Sequence, residues 1–114
     1  MLIYVVFYTD KFIPERFGGY IYGPIILIRP MYKGDIGLLE HEKEHVRQWW
    51  RGWGIGYWLR YTFSHKWRLR YELEGYRVQL QYSPLHMNKF AYFLATNYRL
   101  NITWEEAFDL LSEG

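Results

Sequence analysis

From Ile36 to about Trp50 the apolar residues recur at helical spacing, and the segment is bounded at both ends. Asp35 suits the N-cap position ahead of it, and Gly52, Gly54 and Gly56 break the pattern after it. This one helix divides the chain. Ahead of it lie β-formers: Leu2 to Tyr8 is a continuous apolar and β-branched run that reads as a buried strand, Phe12 to Gly19 reads as a loop, and Tyr20 to Ile28 resumes with β-formers around Gly23-Pro24 until Pro30 closes it. These two runs are expected to pair as a small antiparallel sheet. Behind the helix the pattern stays helical. Tyr57 to Phe63 reads as a short helix, and Ser64 caps a long one to about Tyr82, with Leu69, Leu73, Tyr76 and Leu80 as its inward stripe. Asn88 to Tyr98 is a further helix, and Thr103 to Leu111 a last one, opened by the Thr103/Glu106 capping box. The expected fold class is α+β: a small N-terminal sheet, then a helical part, in a single domain of 114 residues.

The core of so short a chain must come from large side chains. Six Trp, twelve Tyr and seven Phe supply them, each able to bury about 150–250 Å². The chain has no cysteine, which excludes disulfides and thiolate ligands, so any metal must be held by His, Asp or Glu. A net charge of +2 does not by itself argue for a nucleic-acid partner. Met1 to Tyr8 lacks the basic start of a signal peptide and meets Asp10 too early, which gives a cytoplasmic expectation. The aromatic run Gly54 to Phe63 is too short for a bilayer span of about 20 residues. It reads as a buried helix or loop, with a position in a membrane interface as the alternative.

The bounded helix carries His41-Glu42-Lys43-Glu44-His45, an HExxH pattern. Residues i and i+4 of a helix lie one above the other, about 5–6 Å apart at Cβ, so both imidazoles can reach one Zn²⁺ at about 2.0–2.1 Å. Glu42 sits one step around the helix, free to hold the attacking water and take its proton. On the helix surface, Leu39, Val46 and Trp50 define a packed face, and Glu40, Glu44, Arg47 and Arg51 a charged stripe. The histidines fall on the border between them, where a cleft-lining ligand belongs. A catalytic zinc needs a third protein ligand. Glu72 and Glu74, on the next long helix, are the candidates. They point about 200° apart, so only one of them can face the metal; Glu72 lies one turn from Leu69 and Tyr76 on the inward stripe, which favours it, and Glu74 faces the side where Arg70 or Arg77 would pair with it.

The HExxH followed by Glu72-Leu73-Glu74-Gly75-Tyr76 resembles the gluzincin metallopeptidases, over about Tyr20 to Gln81, and short phage and bacterial proteins with HExxHVxQ are similar, as in His45-Val46-Arg47-Gln48. The resemblance implies zinc on His41, His45 and Glu72, with Glu42 as general base. It also implies an extended peptide or unfolded protein segment as substrate, laid along an edge strand from Tyr20 to Ile28 that Gly23-Pro24 breaks locally. The chain departs from that pattern in three places: Lys43 and Glu44 stand where small apolar residues are usual, Tyr76 stands where an Asp usually supports a histidine, and no Tyr or His is assigned to the tetrahedral intermediate.

Two other functions fit parts of the sequence. Arg51, Arg60, Lys66, Arg68 and Arg70 interleave with Trp49, Trp50, Trp53, Trp58 and Trp67, as in single-stranded nucleic-acid binders. Alternatively the chain is an inactive relative that keeps zinc for stability or interaction. His65, seven residues before Glu72, is a candidate electrophile, and His86, beside Pro84, reads as a solvated cap residue.

Overall fold

In the computed structural model, which describes residues 1–113, three consecutive buried side chains (Ile26, Leu27 and Ile28) put strand β3 (Ile25–Ile28) at the centre of a three-stranded sheet. Strand β2 (Gly19–Tyr22) pairs with it antiparallel, Gly19 opposite Ile28. Strand β1 (Val5–Tyr8) pairs on the other side, but parallel, Val5 opposite Ile25. The sheet is therefore mixed, and Tyr20 to Ile28 is a hairpin instead of one interrupted strand. The cause is local. Gly23 takes φ 60°, which a side chain resists, and with Pro24 it forms the two-residue turn that folds β2 back on β3.

The first strand is also not buried. Val5 is 43% and Phe7 54% exposed, and only Val6 of β1 packs against the sheet-side core. A continuous apolar run reads the same whether a strand is central or at an edge. Here β3 holds the centre and β1 is left as an edge.

Helix α1 (Ile36–Arg51) starts as the sequence suggests, with Asp35 accepting from the Leu38 amide. Helix α2 (Ile55–Phe63) begins two residues before the expected Tyr57. Helix α3 (His65–Tyr82) is capped by Ser64, which accepts from the Trp67 amide. Helix α4 (Met87–Thr96) and helix α5 (Trp104–Glu113) complete the chain, α5 opened by the reciprocal Thr103/Glu106 capping box. No helix among the described residues is long and apolar enough to cross a membrane.

Helix α1 lies between the sheet and α3. Val46 turns to Ile26 and Ile28 in one core cluster. A second cluster, including Leu73, Tyr76, Phe90, Leu94 and Leu111, joins α3, α4 and α5. Trp50 does not join the packed face with Val46: it is 43% exposed, its indole N–H donating to the Ile3 carbonyl at 3.0 Å. The side of α1 that is buried instead carries His41, Glu42, His45, Val46 and Gln48, so most of what it covers is polar.

Candidate metal centre

His41 and His45 do not border the buried face of α1 but form part of it, 3% and 5% exposed. Their Nε2 atoms are 3.1 Å apart, and Glu72 Oε1 on α3 lies 3.2 Å from the first and 3.0 Å from the second. The three atoms make a nearly equilateral triangle. A tetrahedral ion with bonds of about 2.0–2.1 Å holds its ligand atoms about 3.3 Å apart, so this triangle is one face of such a polyhedron with little adjustment. Glu74 lies outside it, so of the two acids it is Glu72 that the fold brings to the histidines.

The outer nitrogens of both rings are fixed. His45 Nδ1 lies 2.8 Å from Gln48 Oε1, and the amide of Gln48 is oriented by its own donation to the Tyr71 carbonyl at 3.1 Å and to Glu74 Oε1 at 2.8 Å. An amide oxygen can only accept, so Nδ1 carries the proton and Nε2 is left to bind a cation. His41 Nδ1 is held in the same way by Gln79 Oε1 at 2.8 Å. Glutamines thus hold the histidines where a carboxylate is more usual. Tyr76 takes another role: its ring packs edge-on to His41 at 4.5 Å, and its hydroxyl pairs with that of Tyr98 at 2.6 Å.

Glu72 is held as firmly. The Tyr61 hydroxyl, from α2, donates to Oε2 at 2.5 Å and leaves Oε1 in the triangle. Burial and the neighbouring Glu72 carboxylate push Tyr61 well above its ordinary pKa, so it remains a donor. Burial opposes charge on both His45 and Glu72, but each stabilises the other. The Glu72 carboxylate holds His45 up at about 9, while His45 and His41 hold Glu72 far below the carboxylate range. The Glu72 carboxylate beside His45 thus favours a cation at this contact, and without a metal it favours the protonated form of His45.

Glu42 lies on the wall of the same cleft, which has a volume of about 410 Å³. Burial raises its pKa, and His41 and His45 offset part of that rise. Strand β2 runs directly beside it, and a methyl group at Gly19 would sit 3.1 Å from Glu42 Oε2. The edge strand expected beside the site is therefore β2 alone, and Gly23-Pro24 lies in the turn beyond it.

The remaining expectations fall outside the centre. Lys43 pairs with Glu40 at 2.9 Å, and Glu44 with Arg47 and Arg51, both at 3.3 Å, so the unusual charges within the HExxH are engaged outside the His41/His45/Glu72 triangle. His65 and His86 are exposed, and neither lines the cleft. Glu74 is 3.9 Å from Arg70 as expected, but its closer partner is Gln48, and Arg77 bonds instead to the Leu110 carbonyl.

Sequence reasoning gave no role to Gln48, Gln79, Gly75 and Tyr61. Three of these were within reach of helical spacing: Gln48 is one turn after His45, and Gly75 and Gln79 share the face of Glu72 at i+3 and i+7. Tyr61 arrives from another helix, with no local signal. Comparison with known proteins finds no matching family model, curated protein or solved structure.

Proposed function

We propose that this protein is a zinc-dependent peptidase, with His41, His45 and Glu72 as ligands and Glu42 as general base. The observation that carries the reading is the triangle of two Nε2 atoms and Glu72 Oε1, with both Nδ1 positions tied to glutamine oxygens. The donor set fits the ion: two neutral imidazoles and one carboxylate, without thiolate, are the ligands of a hydrolytic zinc site. When bound, zinc supplies Lewis acidity, polarising a carbonyl and bringing a water's pKa to about 7.

The same three residue types also serve non-haem iron. Glu42 favours hydrolysis. A buried carboxyl with a raised pKa, on the wall of the cleft that holds the triangle, suits a group that takes a proton from water and returns it to a leaving amine near neutral pH. Tyr61 keeps Glu72 single-pronged, and the missing side chain at Gly19 lets β2 run directly against the Glu42 carboxylate. A peptide laid along β2 would gain main-chain hydrogen bonds there, which suits a short peptide or an unfolded segment.

The test is cleavage of an unfolded-protein digest by zinc-loaded protein, read by mass spectrometry, against Glu42→Gln. The expected result is new termini with the wild type and none with the variant. Cleavage that persists undiminished in Glu42→Gln would remove the peptidase reading, whereas zinc held without any cleavage by the wild type would leave the inactive zinc-binding relative.

A further inference from the structure

Helix α2 is apolar on two opposite sides, and only one of them is covered. Tyr57 and Tyr61 turn inward, their rings 4.9 and 6.5 Å from that of Tyr71 on α3. Ile55, Trp58, Leu59 and Phe63, at i, i+3, i+4 and i+8, form the other side and are 75%, 55%, 46% and 73% exposed. Trp53, in the turn before the helix, is 91% exposed. This corrects the expectation of a buried helix or loop here. A helix that is apolar all round is ordinarily covered all round, and a contiguous apolar patch in water marks a surface that meets something else.

The charge around the patch indicates what that is. Between His45 and Glu72 the chain has six Arg and Lys residues and no Asp or Glu. Arg68 is buried and spent on backbone carbonyls, and Arg47 and Arg51 reach Glu44. That leaves Arg60 and Lys66 beside α2 with no acidic partner among the described residues, and Arg70, 3.9 Å from Glu74, on the same flank. The guanidinium groups of Arg60 and Arg70 lie over the Trp67 ring, 4.6 and 5.2 Å from its centroid, which holds them in place on one flank. Exposed Trp and Phe bordered by unpaired basic groups are the composition of helices that lie in the plane of an anionic membrane. At nine residues α2 is far too short to span one, for which about 20 are needed.

We infer that the outer face of α2 docks on an anionic lipid surface, with Trp53, Ile55, Trp58 and Phe63 entering the headgroup boundary and Arg60 and Lys66 meeting lipid phosphates. Trp58 and Thr62 also line the cleft, so the docked face adjoins the cleft wall.

The test is flotation of the full chain with large vesicles of phosphatidylcholine alone or mixed with phosphatidylglycerol, in chelator so that the metal centre plays no part. The protein should float with the mixed vesicles, roughly tenfold or more above its binding to phosphatidylcholine alone, since each nearby Lys or Arg adds about fivefold. High salt should weaken that preference. Ile55→Glu with Phe63→Glu, at two exposed positions outside the cleft, should reduce binding at least about tenfold with the far-ultraviolet circular dichroism unchanged. Arg60→Gln with Lys66→Gln should remove the anionic preference. The inference is overturned if the wild type stays behind with anionic vesicles, or if the Ile55/Phe63 variant floats as well as the wild type. It is equally overturned if that variant instead dissolves a dimer seen by sedimentation, or abolishes binding to a single-stranded oligonucleotide, while vesicles are not bound.

Discussion

Gly75 on α3 lies against the imidazole of His41, so close that a methyl group at position 75 would sit 2.8 Å from Nε2 and 3.0 Å from Cδ2. The close approach of α3 to α1 at the candidate metal centre depends on the missing side chain. Gly75→Ala should raise helix propensity by about 1 kcal/mol and yet cost the site its geometry, because the ring must rotate or shift away. Zinc affinity is expected to fall at least about tenfold, measured by competition with a chromogenic chelator, with secondary structure retained.

The glutamines that hold the rings should matter almost as much as the ligands. Gln48→Leu and Gln79→Leu each leave a histidine Nδ1 proton without its acceptor and free the ring to turn. Each is expected to weaken zinc binding by about 10- to 100-fold. Glu74→Ala touches the centre only through Gln48, so its effect should be smaller than either. A Glu74→Ala protein that loses zinc while Glu72→Ala keeps it would reverse the roles of the two acids.

Much of this centre could be read from the sequence, and the unread part has a physical cause. His41, Glu42 and His45 follow from spacing on one helix, and Glu72 from its place beside the inward stripe of the next. The depth of the histidines was not evident: Trp50, large and apolar, was expected to define the buried face, whereas it hydrogen-bonds Ile3 at the surface and polar residues take the interior. Helical periodicity counts apolar residues and so cannot recognise a face buried because it holds a site. The sheet was misread for a related reason. Leu2 to Tyr8 and Ile25 to Ile28 are both apolar runs, and nothing local says which takes the centre or that Gly23 adopts a positive φ.

Without metal, stability should depend on pH in a defined way. His45 is raised from an ordinary 6.5 to about 9 in the fold, so its contribution is fully present below pH 6.5 and is lost as pH rises through 9. Glu72 is lowered from 4.5, so its contribution is present above that value and is lost on acidification below it. The chelated protein should therefore melt progressively lower from pH 6.5 to pH 9. With zinc in place of the proton on His45, that alkaline decline should disappear. Thermal melts in chelator and in zinc across this range check both statements, and a flat curve in chelator would contradict the His45–Glu72 pairing.

Glu42 separates binding from chemistry. Glu42→Gln removes a base and leaves the three ligand atoms in place, so zinc affinity should stay within a fewfold of wild type while hydrolysis falls by roughly 10²- to 10⁴-fold. Loss of zinc by Glu42→Gln to the extent seen for a histidine variant would show that this carboxylate is a ligand and not a base.

The most direct measurement of the central claim is the zinc stoichiometry of the purified chain and of its Glu72→Ala variant, by elemental analysis after dialysis against buffered zinc. One zinc per wild-type chain, with little or none in the variant, is the predicted result, because two histidines on one helix cannot by themselves close the site. A wild-type chain that retains no zinc, or a Glu72→Ala chain that retains as much as the wild type, would contradict it.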